Sequence, residues 1–192
     1  MSASEFGAEL RKLARLLGVT PERIDYLASV PPQRLAAIRI AMGQELLARN
    51  AEGLTRIAGT AKVLPTAVVA KVTERNGHAL LTARLAAMMD SGRAADIARR
   101  LSDRYLAQVA THLDGPQAQQ VIAQLPDKVL DAVRKQLTAT QDWLTLGAIV
   151  SWLGTDSAAN LLRAMGSDAP AVLDAVDAVD RERVRATLSS TR

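Results

Sequence analysis

Residues 92–137 read GRAADIARRLSDRYLAQVATHLDGPQAQQVIAQLPDKVLDAVRKQL, and the spacing of their aliphatics decides the fold. Leu101, Leu113, Leu125 and Leu137 stand twelve residues apart, and Met89 carries the ladder one step back. Four residues before each rung sits another aliphatic: Leu85, Ile97, Val109, Val121 and Val133. Seven before, small and large side chains alternate in Ala94, Leu106, Ala118 and Leu130, so the full unit is about twenty-four residues, read as two short helices. Positions at i, i+3 and i+7 share one helix face, which is what an apolar stripe requires. The residue after each rung starts or breaks a helix: Asp90, Ser102, Asp114, Pro126 and Thr138. A fixed period of this size marks a stacked helical repeat, each unit burying its apolar face against its neighbours.

The rest of the chain agrees with that reading. Of 192 residues 48% are hydrophobic and only 3% aromatic, so Ala and Leu must supply the core, as suits short helices packed closely. No strand-forming run alternates with polar residues, and the fold class expected is all-α. The chain contains no cysteine, which excludes disulfides, zinc–thiolate sites and a cysteine nucleophile. Met1 to Glu5 show no secretory signal, and the longest apolar run, Trp143 to Leu153, is too short for the ~20 residues of a membrane span. A cytoplasmic protein is expected. The net charge of +4 comes from 24 basic and 20 acidic residues interspersed along helix faces, a solvated surface more than a nucleic-acid stripe.

Three regions are expected. An N-terminal helical segment covers residues 1–62, with a helix from Glu5 to Leu17 closed by Gly18, a second opened by Thr20 and Pro21, and longer helices over 33–50 and 52–62. The helix over 33–50, with Leu35, Ile38, Ile40, Leu46 and Leu47, lacks the aromatic and Lys residues of an interfacial helix, so core packing accounts for it. The repeat array covers 63–153, and its best internal match pairs 92–113 with 116–137. Residues 65–89 form an irregular earlier unit, and the helix ending the array carries Trp143 and Trp152, expected in the core. Capping helices follow over 154–192, built on Ala159, Leu162 and Met165, then Val172, Leu173, Val176 and Val179, then Val184 and Leu188.

The short helices ending in Leu and broken by Asp-Gly-Pro or Pro-Asp resemble the helical superhelix at the N-terminus of MgtE magnesium transporters. They are also similar to the armadillo-like repeats of the flagellar switch protein FliG. The residues that carry the likeness run from Ala94 through Asp103, then from His112 through Ala118 and from Ala123 through Asp127, and the likeness extends over roughly 64–153. The transport and regulatory domains of MgtE have no counterpart in these residues. The resemblance implies a right-handed superhelix, an armadillo-like α-solenoid of short antiparallel helix pairs, that binds other proteins.

No pattern in the sequence assembles a catalyst. His78 and His112 have no metal-ligand partner at i+3 or i+4, the glycines form no phosphate-cradling loop after a strand, and no G-x-S-x-G elbow occurs. The pairs Asp174/Asp177 and Asp180/Glu182 read as a solvated acidic face. No enzyme, metal or cofactor is expected, and the function expected is a protein–protein interaction scaffold. Its partner-binding candidates are the polar positions that do not match between repeats: Arg93, Arg99, Arg100, Arg104, Gln117, Gln120 and Lys128. The alternative is a DNA-binding regulator using a helix-turn-helix at 10–29, in which Arg11, Lys12, Arg15 and Arg23 would contact phosphates.

Overall fold

The computed structural model describes residues 3–49 and 51–189, excepting the side chains of 3–6, 47, 51, 76, 115–117 and 187–189. Among the described residues all regular structure is helical. The order is α1 (Ala3–Leu17), a 3₁₀ segment (Pro21–Ser29), α2 (Pro32–Arg49), α3 (Ala51–Val63), α4 (Thr66–Asn76), α5 (Ala79–Met88) and α6 (Ser91–Ala98). Then come α7 (Asp103–Ala110), α8 (Gly115–Ile122), α9 (Asp127–Ala139), α10 (Trp143–Trp152), α11 (Thr155–Met165), a single 3₁₀ turn (Gly166–Asp168), α12 (Ala169–Asp174) and α13 (Arg181–Ser189). No described helix is long and apolar enough to cross a membrane.

Contacts divide the chain into two compact units, one of Met1–Gln44 with Asp142–Arg192 and one of Glu45–Gln141. These divisions differ from the boundaries expected at 62/63 and 153/154. The reason is packing that sequence spacing does not report: the first and last segments share one core, and α10, expected to close the array, belongs with them.

In the unit of Glu45–Gln141, α3 packs on α5, α5 on α7 and α7 on α9, while α4 packs on α6 and α6 on α8. Each helix therefore leans on the helix two places later, in two interleaved rows. The residues four before the rungs (Ile97, Val109, Val121, Val133) and seven before (Ala94, Leu106, Ala118, Leu130) are all buried. Val69, Ala70 and Ile97 form one core with Met89 and Leu101 at its margin, and Ala83, Tyr105 and Val109 form the next with Leu101 and Leu113. The helix boundaries follow local chemistry. Asp90 caps α6 by accepting from Arg93 N at 3.0 Å, Ser102 and Pro126 stand at the N-caps of α7 and α9, and α8 begins immediately after Asp114. Thr138 breaks the pattern, because α9 runs through it to Ala139. Its hydroxyl donates to the Arg134 carbonyl one turn back at 2.9 Å, which lets a residue expected to end a helix sit inside one.

In the other unit α1 packs on the first 3₁₀ segment, and Leu10, Leu13 and Ala14 of α1, Ile24 of that segment and Leu35 of α2 form one core. Gly18 ends α1 at φ +65°, a conformation that costs glycine little. Helix α10 packs on α11, α12 and α13, and Leu146, Ile149, Val150 and Trp152 are buried; Trp143 is half-buried. Gly147 lets α10 approach the end of α12 closely, since a Cβ there would lie 2.3 Å from the carbonyl carbon and oxygen of Ala175. Backbone cannot yield as a flexible side chain does. Gly147→Ala is therefore expected to lower stability by about 2–3 kcal/mol despite the better helix propensity of alanine, read as a lower urea midpoint at unchanged slope.

Candidate functional site

The positions expected to bind a partner fall into three kinds. Arg100, Arg104, Gln120 and Lys128 are exposed at or near the ends of α6 to α9 and remain available to a partner. Arg99 is exposed but pairs with Asp96 one turn back. Arg93 is structural. Its Nη2 donates to the Ala61 carbonyl at 2.7 Å and to the Leu64 carbonyl, so it holds the C-terminal end of α3 to α6. Carbonyls at a helix end carry partial negative charge and lack intrahelical donors, so a guanidinium suits them. The side chain of Gln117 lies outside the described residues.

The four cations of the helix-turn-helix alternative do not share one surface role. Arg11 and Arg23 are exposed, while Lys12 is buried and Arg15 is engaged in an ion pair. The expected recognition helix, Pro21–Ser29, is 3₁₀, and Ile24 leaves helical geometry at φ −120°, ψ 16°. Burial of Ile24 against Leu10 and Leu13 within a nine-residue turn favours this kinked path over a straight α-helix.

Lys12 belongs to a buried ion cluster that joins the two ends of the chain. Its Nζ donates to Asp177 Oδ1 at 2.5 Å and to Glu9 Oε1 at 3.3 Å. Arg39 Nη2 donates to the same Asp177 oxygen at 3.1 Å, and Arg39 Nε lies 3.5 Å from Glu9 Oε2. Glu9 is fully buried and Asp177 5% exposed, so two carboxylates and two cations balance in a site withdrawn from water. Backbone donors complete it: Ala178 N donates to Glu9 Oε1 at 3.2 Å, and Asp177 N to Ser151 Oγ at 2.9 Å. The expectation of a solvated acidic face at Asp174/Asp177 fails for Asp177. The 3.6-residue spacing of α1 puts Glu9 and Lys12 on one face, but only packing brings in Asp177. Arg39 of α2 is likewise drawn inside by the two carboxylates. Removing one member strands the others' charge, so Asp177→Ala is expected to destabilise by about 3–5 kcal/mol in urea unfolding.

Asp142 begins α10 in a second charged site. Its Oδ1 accepts from Thr145 N at 3.2 Å as an N-cap, and Arg15 grips both carboxylate oxygens, Nη2 to Oδ1 at 3.0 Å and Nη1 to Oδ2 at 3.3 Å. Thr145 Oγ1 donates to Oδ2 at 2.7 Å. Burial pushes the Asp142 carboxyl up, but hydrogen bonds from Arg15 and Thr145 outweigh it, and its pKa is held below the ordinary aspartate value. With a lowered native pKa, the unfolded state takes up the proton first as pH falls. The stabilisation is therefore present above about pH 4 and is lost below it as pH falls through the native value. Asp142→Asn should cost about 1 kcal/mol at pH 7, with the gap to wild type narrowing at pH 3 in parallel urea titrations.

The features most open to a partner lie at the start of the unit of Glu45–Gln141. A groove of about 400 Å³ runs between α3 and α5, lined by Gly53, Leu54, His78, Leu80, Leu81 and Arg84. Leu80 and Leu81 are exposed, as is Ile57 one turn along α3. On α4, Val68 and Val72 are exposed too, and Val63 and Leu64 precede it on the surface. Large aliphatics left in water over one stretch of a chain mark an interaction surface more than scattered single ones do. Among the described residues no three of His, Asp and Glu converge as metal ligands would; His78 lies at the groove and His112 is exposed elsewhere. Ladder spacing does not single out this stretch, because residues 65–89 depart from the period. The signal it does carry is Val68/Val72 beside Lys71/Arg75, aliphatics and cations in adjacent columns of one helix.

No family model, curated protein or solved structure matches this chain.

Proposed function

We propose that this chain is a non-catalytic, cytoplasmic scaffold that binds another protein, and that α3 to α9 form a right-handed superhelix of antiparallel pairs like that of the MgtE N-terminal domain. The packing of each helix on the helix two places later supports the stacked arrangement. The single observation that carries the function is the apolar groove between α3 and α5, with Leu80 and Leu81 exposed beside it. Burying such residues against a partner contributes about 25 cal/mol per Å² removed from water, and aliphatic anchors in a groove are how helical modules gain affinity. Exposed Arg100, Arg104, Gln120 and Lys128 would add selectivity around it.

Affinity capture from the native host with wild type and Leu81→Asp provides the test. Wild type should retain a protein partner at moderate salt, and Leu81→Asp should lose it while melting normally by circular dichroism. Recovery of nucleic acid alone, released as salt rises, would overturn the reading.

A further inference from the structure

Helix α4 is the first of its row, and its two faces differ. One face buries Val69 and Ala70 against Ile97 of α6. On the other, Val68 and Val72 stand one turn apart, Leu64 lies just before the helix, and Lys71 and Arg75 form the column beside the two valines. All five are exposed, Val68 at 44% and Val72 at 54%. A helix at the end of a stack ordinarily turns a polar face outward. This one presents aliphatics flanked by cations.

The charge on this face is uncompensated. Glu74, on the same helix, is committed elsewhere, its Oε1 accepting from Ser102 N at 3.2 Å at the start of α7. Glu52 of α3 pairs with Arg56 at 2.8 Å. Among the described residues no carboxylate neutralises Lys71 or Arg75. A second copy of the chain seated symmetrically here would set Lys71 and Arg75 against themselves, and like charges brought together oppose association.

We propose that the outer face of α4 docks an amphipathic helix of a partner protein whose apolar stripe is flanked by Asp and Glu. The inference rests on the protein-binding reading above and adds a second contact surface, outside the groove, with the chemistry of the segment it takes. The aliphatic column would receive side chains at i, i+3 or i+4, and i+7 of that helix, and its carboxylates would meet Lys71 and Arg75. The eleven residues of α4 span about 16 Å at 1.5 Å per residue, room for roughly three turns of helix. The face holds no aromatic residue, unlike most helices that lie in a membrane interface, which favours a protein over a lipid surface.

Selection of 16-residue phage-displayed peptides on the intact chain tests this. Enriched peptides should carry aliphatics at helical spacing with Asp or Glu beside them. Binding of the best peptide, followed by fluorescence anisotropy, should weaken as NaCl rises and fall about tenfold in Lys71→Glu/Arg75→Glu. Val68→Asp/Val72→Asp should lose at least as much, and because both positions are exposed its helicity and melting should match wild type. Enriched peptides without acidic residues, or ones indifferent to Lys71→Glu/Arg75→Glu, would overturn the inference and leave the protein-binding reading standing. So would binding abolished by Leu81→Asp alone, which would move the contact to the groove. Failure to enrich any peptide, with uptake only by phosphatidylcholine/phosphatidylglycerol vesicles or by neither, would overturn both.

Discussion

An eight-residue helix is about 12 Å long and is marginal by itself in water, because the cost of its first turn is repaid by few hydrogen bonds. Helices α6, α7 and α8 are each of that length, so their stability comes from the faces they bury against neighbours. Each finds its support in the helix two places away, and the buried Ile97, Val109, Val121 and Val133 are the contacts that repeat. The same constraint leaves its mark at the start of the row. A helix that buries one face turns the other to water, and on α3 to α5 that outer surface carries Ile57, Val68, Val72, Leu80 and Leu81.

The unit of Met1–Gln44 with Asp142–Arg192 uses a different physics. Helix α10 is apolar on nearly every side and needs no single stripe, since α11, α12 and α13 pack about it. What ties α1 and α2 to the segment after α12 is polar: Glu9, Lys12, Arg39 and Asp177, buried and balanced in charge. Such a cluster adds less net stability than an apolar core of the same size, but it tolerates few alternative partners. Lys12 and Asp177 lie 165 residues apart, so the cluster forms only when both segments are in place. Arg15 on Asp142 acts similarly at the edge, joining the last turn of α1 to the first of α10.

The ladder from Met89 to Leu137 was legible because burial of one helix face imposes a local period, and a local period is written directly in the order of residues. The caps at Asp90, Ser102 and Pro126 were legible for the same reason, while Thr138 misled because its hydroxyl can serve a helix interior as well as an end. The candidate site was less readable. Arg93 and Arg99 differ little in sequence from Arg100 and Arg104, yet a carbonyl pair at the end of α3 engages the first and Asp96 the second. Lys12 reads as a surface cation beside Arg11, and Asp177 as part of an acidic face; a residue far away in the chain gives each a different role.

The sequence by itself therefore determined the helical class, where most helices begin and end, and the inward turn of Ile97, Val109, Val121 and Val133, since these depend on interactions within a turn or two of helix; Val179 and Ile38, read the same way, are exposed. Tertiary structure alone decided which charges are buried, which segments share a core, and which aliphatics remain in water. Those outcomes depend on desolvation and on partners that only packing brings within a few ångströms, and no local spacing encodes them.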